Sequence, residues 1–293
     1  MPYLADHLRF IPTAAVPLSL KSYIRGETPL STWPAAFSMT VTYLTIVFGT
    51  REIMKDRAPF KLVTLFRAHN LLLSVASFVL MLLLGEEVVS NWIKLGSYGV
   101  LCADEAYTQK LELYLLINYY FKYYEFVDTI FLALKKKPLT FLHVYHHSAT
   151  AILMFVELNG RTTVCWVSVV INLGVHVIMC NYAVLSYVCS LKRSPDYYYF
   201  ATAGGARFWQ YLTTLQIIQF IIIFTVSFFA VYNMLVHNFL PMVPHVGDCA
   251  GTTTSGLLGV GVVASYLVLC INFFEKTYIK SKGMTTHKTH LHD

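Results

Sequence analysis

Charge is scarce in this chain. Only 13% of its 293 residues are Asp, Glu, Lys or Arg, against about 25% in an ordinary soluble domain. So thin a charge cannot solvate the surface of a compact soluble fold of this size. Six cysteines spread over 293 positions exclude a disulfide-built mini-scaffold. No Asn-x-Ser/Thr glycosylation acceptor occurs. The first 30 residues hold Pro2, Pro12, Pro17 and Pro29 and no continuous apolar stretch, so a secretory signal peptide is not expected. Disorder is excluded by the 15% aromatic content combined with low charge. The net charge of +6 comes with no basic helix, zinc-finger spacing or RNA-binding motif, so no nucleic acid is expected as partner.

What the chain has instead is apolar residues, 56% of the total, gathered in blocks. A helix crossing the hydrocarbon core needs about 20 residues. Seven blocks qualify: Thr32–Thr50, Leu62–Leu84, Leu111–Leu134, Leu139–Leu158, Thr163–Leu191, Phe208–Leu235 and Thr254–Phe274. The pattern predicts an all-α polytopic membrane protein with seven transmembrane helices. Residues 1–293 form a single membrane domain, with a leader at 1–31 and a polar tail at 281–293.

Orientation follows from Lys and Arg placement. Fifteen fall on one side, among them Lys135, Lys136, Lys137, Lys192, Arg193 and Arg207, and six on the other: Arg9, Lys21, Arg25, Lys94, Lys110 and Arg161. The bias puts the C-terminus in the cytosol and the N-terminus across the membrane. Cys102 and Cys249 are then the two cysteines in non-cytosolic loops. An oxidising lumen would join them; two unpaired thiols are the alternative.

Ionisable residues inside spans are costly and mark function by default. Four runs occur at helical spacing: Lys122, Glu125, Asp128 and Thr129; His143, His146 and His147; Asn172, His176, Met179 and Cys180; Thr213, Gln216 and Gln219. Offsets of three and four put each run on one helix face. At ~1.5 Å per residue, Glu125, the histidine triplet and Gln216 all lie roughly 8–15 Å from the cytosolic ends of their helices, and His176 roughly 15–20 Å. Four helices thus aim polar faces at a common level. Gln216, Gln219, Thr213 and Asn172 also read as interhelical hydrogen-bonding residues. Lys122, Glu125 and Asp128 also read as a structural ion-pair ladder. Asn172, His176 and Cys180 form either a thiol nucleophile set or, at Cys180, a small buried apolar residue. Three imidazoles within five residues are a poor way to join helices.

A membrane histidine cluster permits iron chemistry or acyl transfer. A diiron desaturase or hydroxylase needs several histidine boxes; here there is one, and His7, His69, His237, His245, His287, His290 and His292 are scattered. In acyl transfer, an imidazole attacks a thioester to give an acyl-imidazole, neighbouring groups manage the protons, and basic cytosolic loops suit a polyanionic carrier. A polytopic transporter is the non-enzyme alternative, with the polar stripes lining its pathway.

The runs Lys122-Tyr-Tyr-Glu125-Phe-Val-Asp128-Thr129, His143-Val-Tyr-His146-His147, Asn172-Leu-Gly-Val-His176-Val-Ile-Met179 and Thr213-Thr-Leu-Gln216-Ile-Ile-Gln219-Phe220, in this order over about a hundred residues, resemble the ELO very-long-chain fatty acid elongases. The segment from Pro59 to Asn70 is also similar, and resembles the fungal saturated and monounsaturated branch. The resemblance implies a 3-ketoacyl-CoA synthase of the endoplasmic reticulum membrane, with six of seven helices around an acyl tunnel. It implies condensation of acyl-CoA with malonyl-CoA, with release of CO2 and CoA. It implies His146 as nucleophile, His176 lining the same site, His143 and His147 orienting or relaying protons, and Lys122, Glu125, Asp128, Asn172, Gln216, Gln219 and Arg207 in support. No metal or other cofactor is expected. The expected partners are both CoA thioesters, membrane lipids, and the ketoacyl-CoA reductase, dehydratase and enoyl reductase of the later steps, with homodimerisation left open. Two positions depart from the family pattern: Cys180 stands where a Tyr is common, and Trp209 and Gln210 where basic residues are common.

Overall fold

A computed structural model describes residues 22–189 and 206–279, with side chains over 22–179 and 209–279. The described residues are all-helical apart from turns and loops. The helices are α1 (Trp33–Ile53), α2 (Val63–Cys102), α3 (Gln109–Tyr124), α4 (Phe126–Leu134), α5 (Phe141–Gly160), α6 (Cys165–Cys189), α7 (Ala206–Phe239) and α8 (Thr253–Phe274), with a 3-10 turn at Asp104–Ala106 and a π turn at Glu275–Ile279.

Local chemistry sets the starts. Pro34 in the first turn of α1 has no N–H to leave unbonded. The hydroxyls of Thr108, Thr140 and Thr252 accept from Leu111 N, His143 N and Ser255 N at the starts of α3, α5 and α8. Each satisfies one of the free donors at a helix N-terminus. Arg161 closes α5 in the left-handed region, at φ 47°.

Among the described residues helices run through the apolar blocks, with two differences; Ser190 and Leu191, which end the block Thr163–Leu191, lie outside those residues. The block ending at Leu84 continues to Cys102, because Gly85, Glu86 and Glu87 lower hydropathy without breaking a helix. Glu87 accepts a hydrogen bond from Thr108 at 2.7 Å. Up to Gly96, α2 is about 50 Å long, more than the ~30 Å hydrocarbon core, so it projects beyond it. Its helical geometry breaks at Gly96 (φ 72°), a conformation open to glycine. The block Leu111–Leu134 is divided into α3 and α4 at Glu125, where Asp128 N bonds back to Glu125 O in a tightened turn.

Among the described residues three helical segments, Val63–Cys102, Trp209–Phe239 and Thr253–Ile279, are long and apolar enough to cross a membrane. The surface is more apolar than that of a soluble protein, and the apolar core also holds polar groups. Phe37, Leu71, Val75, Ile221 and Val268 are exposed, whereas Asn118, Lys122, Glu125, Thr129, His147 and Asn233 are buried. Outward apolar faces, together with buried ionisable groups set within an otherwise apolar core, identify a polytopic membrane protein. In the bundle α2 runs along α6, α7 along α8, α8 against α5, α5 against α3, and α1 against α4.

One end of the bundle is tied shut. Cys102 and Cys249 form a disulfide, and Ala250 N donates to Cys102 O at 2.7 Å. Glu112 accepts from Ser22 Oγ at 2.6 Å and pairs with Arg161 at 3.1 Å. Tyr119 and Tyr120 donate to the carbonyls of Leu30 and Pro29. At the opposite end the bundle opens into a cavity.

Candidate active site

The cavity, of about 220 Å³, is walled by side chains from six helices. Phe66 and Asn70 come from α2, and Asp128 and Leu132 from α4. The first turns of α5 supply His143, His146 and His147, and α6 supplies Asn172, His176 and Met179. From α7 come Trp209, Thr213, Gln216, Gln219 and Phe220. Cys270, Phe273 and Tyr278 close the last side. The runs on α5, α6 and α7 converge on the cavity as expected from helical spacing, and of the first run Asp128 alone lines it. Apolar residues supply much of the wall, so the cavity is amphipathic.

Lys122 and Glu125 are buried but are not wall residues. They sit behind the histidines. Lys122 Nζ donates to Glu125 Oε1 at 2.8 Å and to Asn172 Oδ1 at 2.8 Å. This crosslinks the α3–α4 turn to α6 and gives the ammonium two acceptors, as a buried charge requires. Glu125 faces two imidazoles at distances beyond direct hydrogen bonds: His147 Nδ1 at 3.7 Å from Oε2 and His176 Nε2 at 4.0 Å from Oε1. One carboxylate thereby acts electrostatically on both rings. Glu125 Oε2, His147 Nδ1 and His176 Nδ1 are buried and lack hydrogen-bond partners among the described residues.

His143 and His146 differ in surroundings. His143 Nε2 lies 3.0 Å from Thr129 Oγ1, which accepts from Tyr43 OH at 3.0 Å. A hydroxyl accepting from Tyr43 retains its own hydrogen to give to Nε2, so the relay Tyr43–Thr129–His143 favours a ring hydrogen on Nδ1 of His143. His146 is half-buried on the cavity wall, and neither ring nitrogen is hydrogen-bonded among the described residues. Its backbone is held instead: Tyr266 OH donates to His146 O at 3.2 Å and also meets Thr150 Oγ1 at 2.9 Å. The rings of His146 and His147 are 5.5 Å apart, and those of His143 and His147 4.5 Å.

His143, His146, His147, His176, Asp128, Asn172, Gln216 and Gln219 all line the cavity. Lys122 and Glu125 form its second layer. The Arg207 and Cys180 side chains lie outside the described residues. His69 stands apart from the four runs in the sequence, yet its Nε2 is 2.9 Å from Asp128 Oδ1. Its signal was periodic: Phe66, His69, Asn70 and Leu73 are the buried positions of one α2 face.

The model of the ELO family, GNS1/SUR4, matches residues 28–286. This chain belongs to that family. A Schizosaccharomyces pombe protein provisionally named fatty acid elongase 1 is 42% identical over 260 residues, 88% of this chain and 73% of that protein. A second S. pombe protein, provisionally named fatty acid elongase 2, is 34% identical over 264 residues, 89% and 68% of the two chains. Fatty acid elongase sre1 of Dictyostelium discoideum is 31% identical over 201 residues, 67% and 69%. The ELO chain is therefore a membrane protein with a role in fatty acid elongation.

Proposed function

We propose that this ELO protein is the condensing enzyme of elongation, a 3-ketoacyl-CoA synthase joining a long-chain acyl-CoA to malonyl-CoA. The observation that carries the reading is the amphipathic cavity, in which His146 offers a ring nitrogen without a hydrogen-bond partner beside three further imidazoles and a carboxylate. Family membership supports the same reading.

In the first half-reaction the free nitrogen of His146 attacks the thioester carbonyl. The C–S bond breaks, CoA leaves with a proton as the thiol, and the acyl group rests on the imidazole. Malonyl-CoA then loses CO2, and the electron pair of the broken C–C bond becomes an enolate. Its carbon attacks the acyl-imidazole carbonyl, a new C–C bond forms, and His146 leaves. The product is 3-ketoacyl-CoA, two carbons longer. His147 and His176, coupled to Glu125, carry protons in these steps. Asn172, Gln216 and Gln219 donate to developing oxyanions, and the resemblance assigns Arg207, whose side chain lies outside the described residues, to CoA phosphate.

The acyl chain lies between the helices in a tunnel enclosed by six of seven spans. The chain resides in the endoplasmic reticulum membrane with the disulfide end lumenal and the cavity cytosolic, an orientation supported by the Lys and Arg bias. Separate reductase and dehydratase activities complete the cycle.

The test is direct. Purified protein is given a saturated long-chain acyl-CoA and labelled malonyl-CoA, and mass spectrometry reads the products. A labelled 3-ketoacyl-CoA two carbons longer is expected. Its absence over several chain lengths, in folded protein, would remove the assignment.

A further inference from the structure

Besides His69, two of the described histidines stand outside the cavity. His237 is exposed in the last turn of α7, and His245 is half-buried eight residues later. Their rings meet: His237 Nδ1 is 3.3 Å from His245 Nε2, with ring planes at 71°. His245 Nδ1 lies 2.9 Å from the Val243 carbonyl oxygen. A carbonyl only accepts, so Nδ1 carries the hydrogen, and neutral His245 turns the lone pair of Nε2 toward His237. Metal-ligating histidines typically have their second nitrogen fixed in this way.

We propose that His237 and His245 form a zinc site, with water completing the coordination. Zn–N bonds are about 2.0–2.1 Å, and nitrogens at this separation would subtend roughly 107° at such an ion, close to the tetrahedral angle. A square-planar ion would need them roughly 2.9 Å apart. On binding, the hydrogen of His237 Nδ1 passes through solvent to Nε2. Both facing nitrogens then present lone pairs, and no net proton is lost. Among the described residues no set of three or more His, Cys, Asp or Glu donors is gathered, so the protein's share is these two imidazoles.

The site is ordered before the ion arrives. Tyr232 OH donates to Pro244 O at 2.8 Å, and Val246 N donates to Asn233 Oδ1 at 2.8 Å. These bonds pin the chain to α7 on both sides of His245, and such support is what a metal site requires. Bound zinc would clamp the intervening loop, with its exposed Phe239, Leu240 and Met242, next to the segment that carries the Cys249 disulfide. The proposal is independent of the condensation chemistry.

His287, His290 and His292 of the tail would bind zinc by themselves, so the titration uses the full chain with those three changed to Gln. Zinc is titrated in detergent against a chromogenic chelator. The expected result is one more bound equivalent in this protein than with His237→Asn or His245→Asn added. Equal stoichiometry in all three overturns the proposal. A second measurement uses the unsubstituted chain, so it does not depend on how the variants fold. Zinc is expected to slow diethylpyrocarbonate modification of His237 and His245, read peptide by peptide; unchanged rates at both also overturn it.

Discussion

His69 Nε2 sits 2.9 Å from Asp128 Oδ1, off the hydrogen-bonding direction. The two side chains are 4% and 17% exposed, so the histidine is sealed in the α2–α4 contact and only the carboxylate reaches the cavity. Its ring also packs on Tyr124 and Phe131, which fixes its plane. His69 is therefore a positioning residue for Asp128. His69→Phe is expected to lower kcat about 10²-fold, as a small misplacement of a group on the wall of the site can, with KM much less affected. His69→Gln, which keeps a donor, should recover part of the loss. Wild-type kcat in both variants would mean that the contact is packing alone.

His146 is expected to be the acyl carrier, which predicts a partial reaction. With acyl-CoA alone, wild-type protein should release free CoA in one burst, and the peptide holding residue 146 should gain the acyl mass. His146→Ala should show neither and make no product. His147→Gln should keep the burst and lose about 10²–10⁴-fold in turnover, the range for a proton-transfer group. A full burst from His146→Ala would place the acyl group elsewhere, and Cys180→Ser would then be the next variant.

The Lys122–Glu125 pair makes a stability prediction. Both groups are buried, and removing one leaves the other's charge without its partner. Lys122→Met should cost about 3–5 kcal/mol, measured as thermal unfolding in detergent. Lys122→Met with Glu125→Leu should cost less than the single change, because no uncompensated charge remains. A double variant less stable than Lys122→Met would count against the pair as the cause and point to the Asn172 bond.

The membrane class and the positions of the helices were legible because lipid demands long apolar runs and leaves few alternatives. The site was legible because a histidine in such a run needs a reason, and 3.6-residue spacing names the neighbours on its face. The wall formed by His143, His146, His147, His176, Asn172, Gln216 and Gln219 follows from that logic. Three features did not follow. The extension of α2 was hidden because Glu86 and Glu87 look like a span end although both favour helix. The break at Glu125 was hidden because a tightened turn has no signature in composition. The role of His69 was hidden because its partner lies 59 positions away, and its place on the buried face with Phe66, Asn70 and Leu73 does not name that partner. Glu125 standing behind the wall, while Asp128 stands on it, is likewise a matter of tertiary depth, which spacing along one helix does not encode.

The Cys102–Cys249 disulfide closes a loop with a sequence separation of 147 residues. A loop of that length corresponds to about 5 kcal/mol in the chain-entropy treatment. That is an upper value, because helices held in a micelle already restrict the unfolded chain. Cys102→Ser, Cys249→Ser and the double variant should therefore lose the same stability, each by less than this limit, since each removes one crosslink. Condensation should change by no more than about 2-fold, because the sites are far apart and share no partners. Cys102 ends the same element that brings Phe66 and Asn70 to the cavity, beyond its break at Gly96. A double variant less stable than either single would show that the sulfurs also contribute packing. A large loss of turnover at unchanged stability would mean that the tied end and the histidines are coupled through α2.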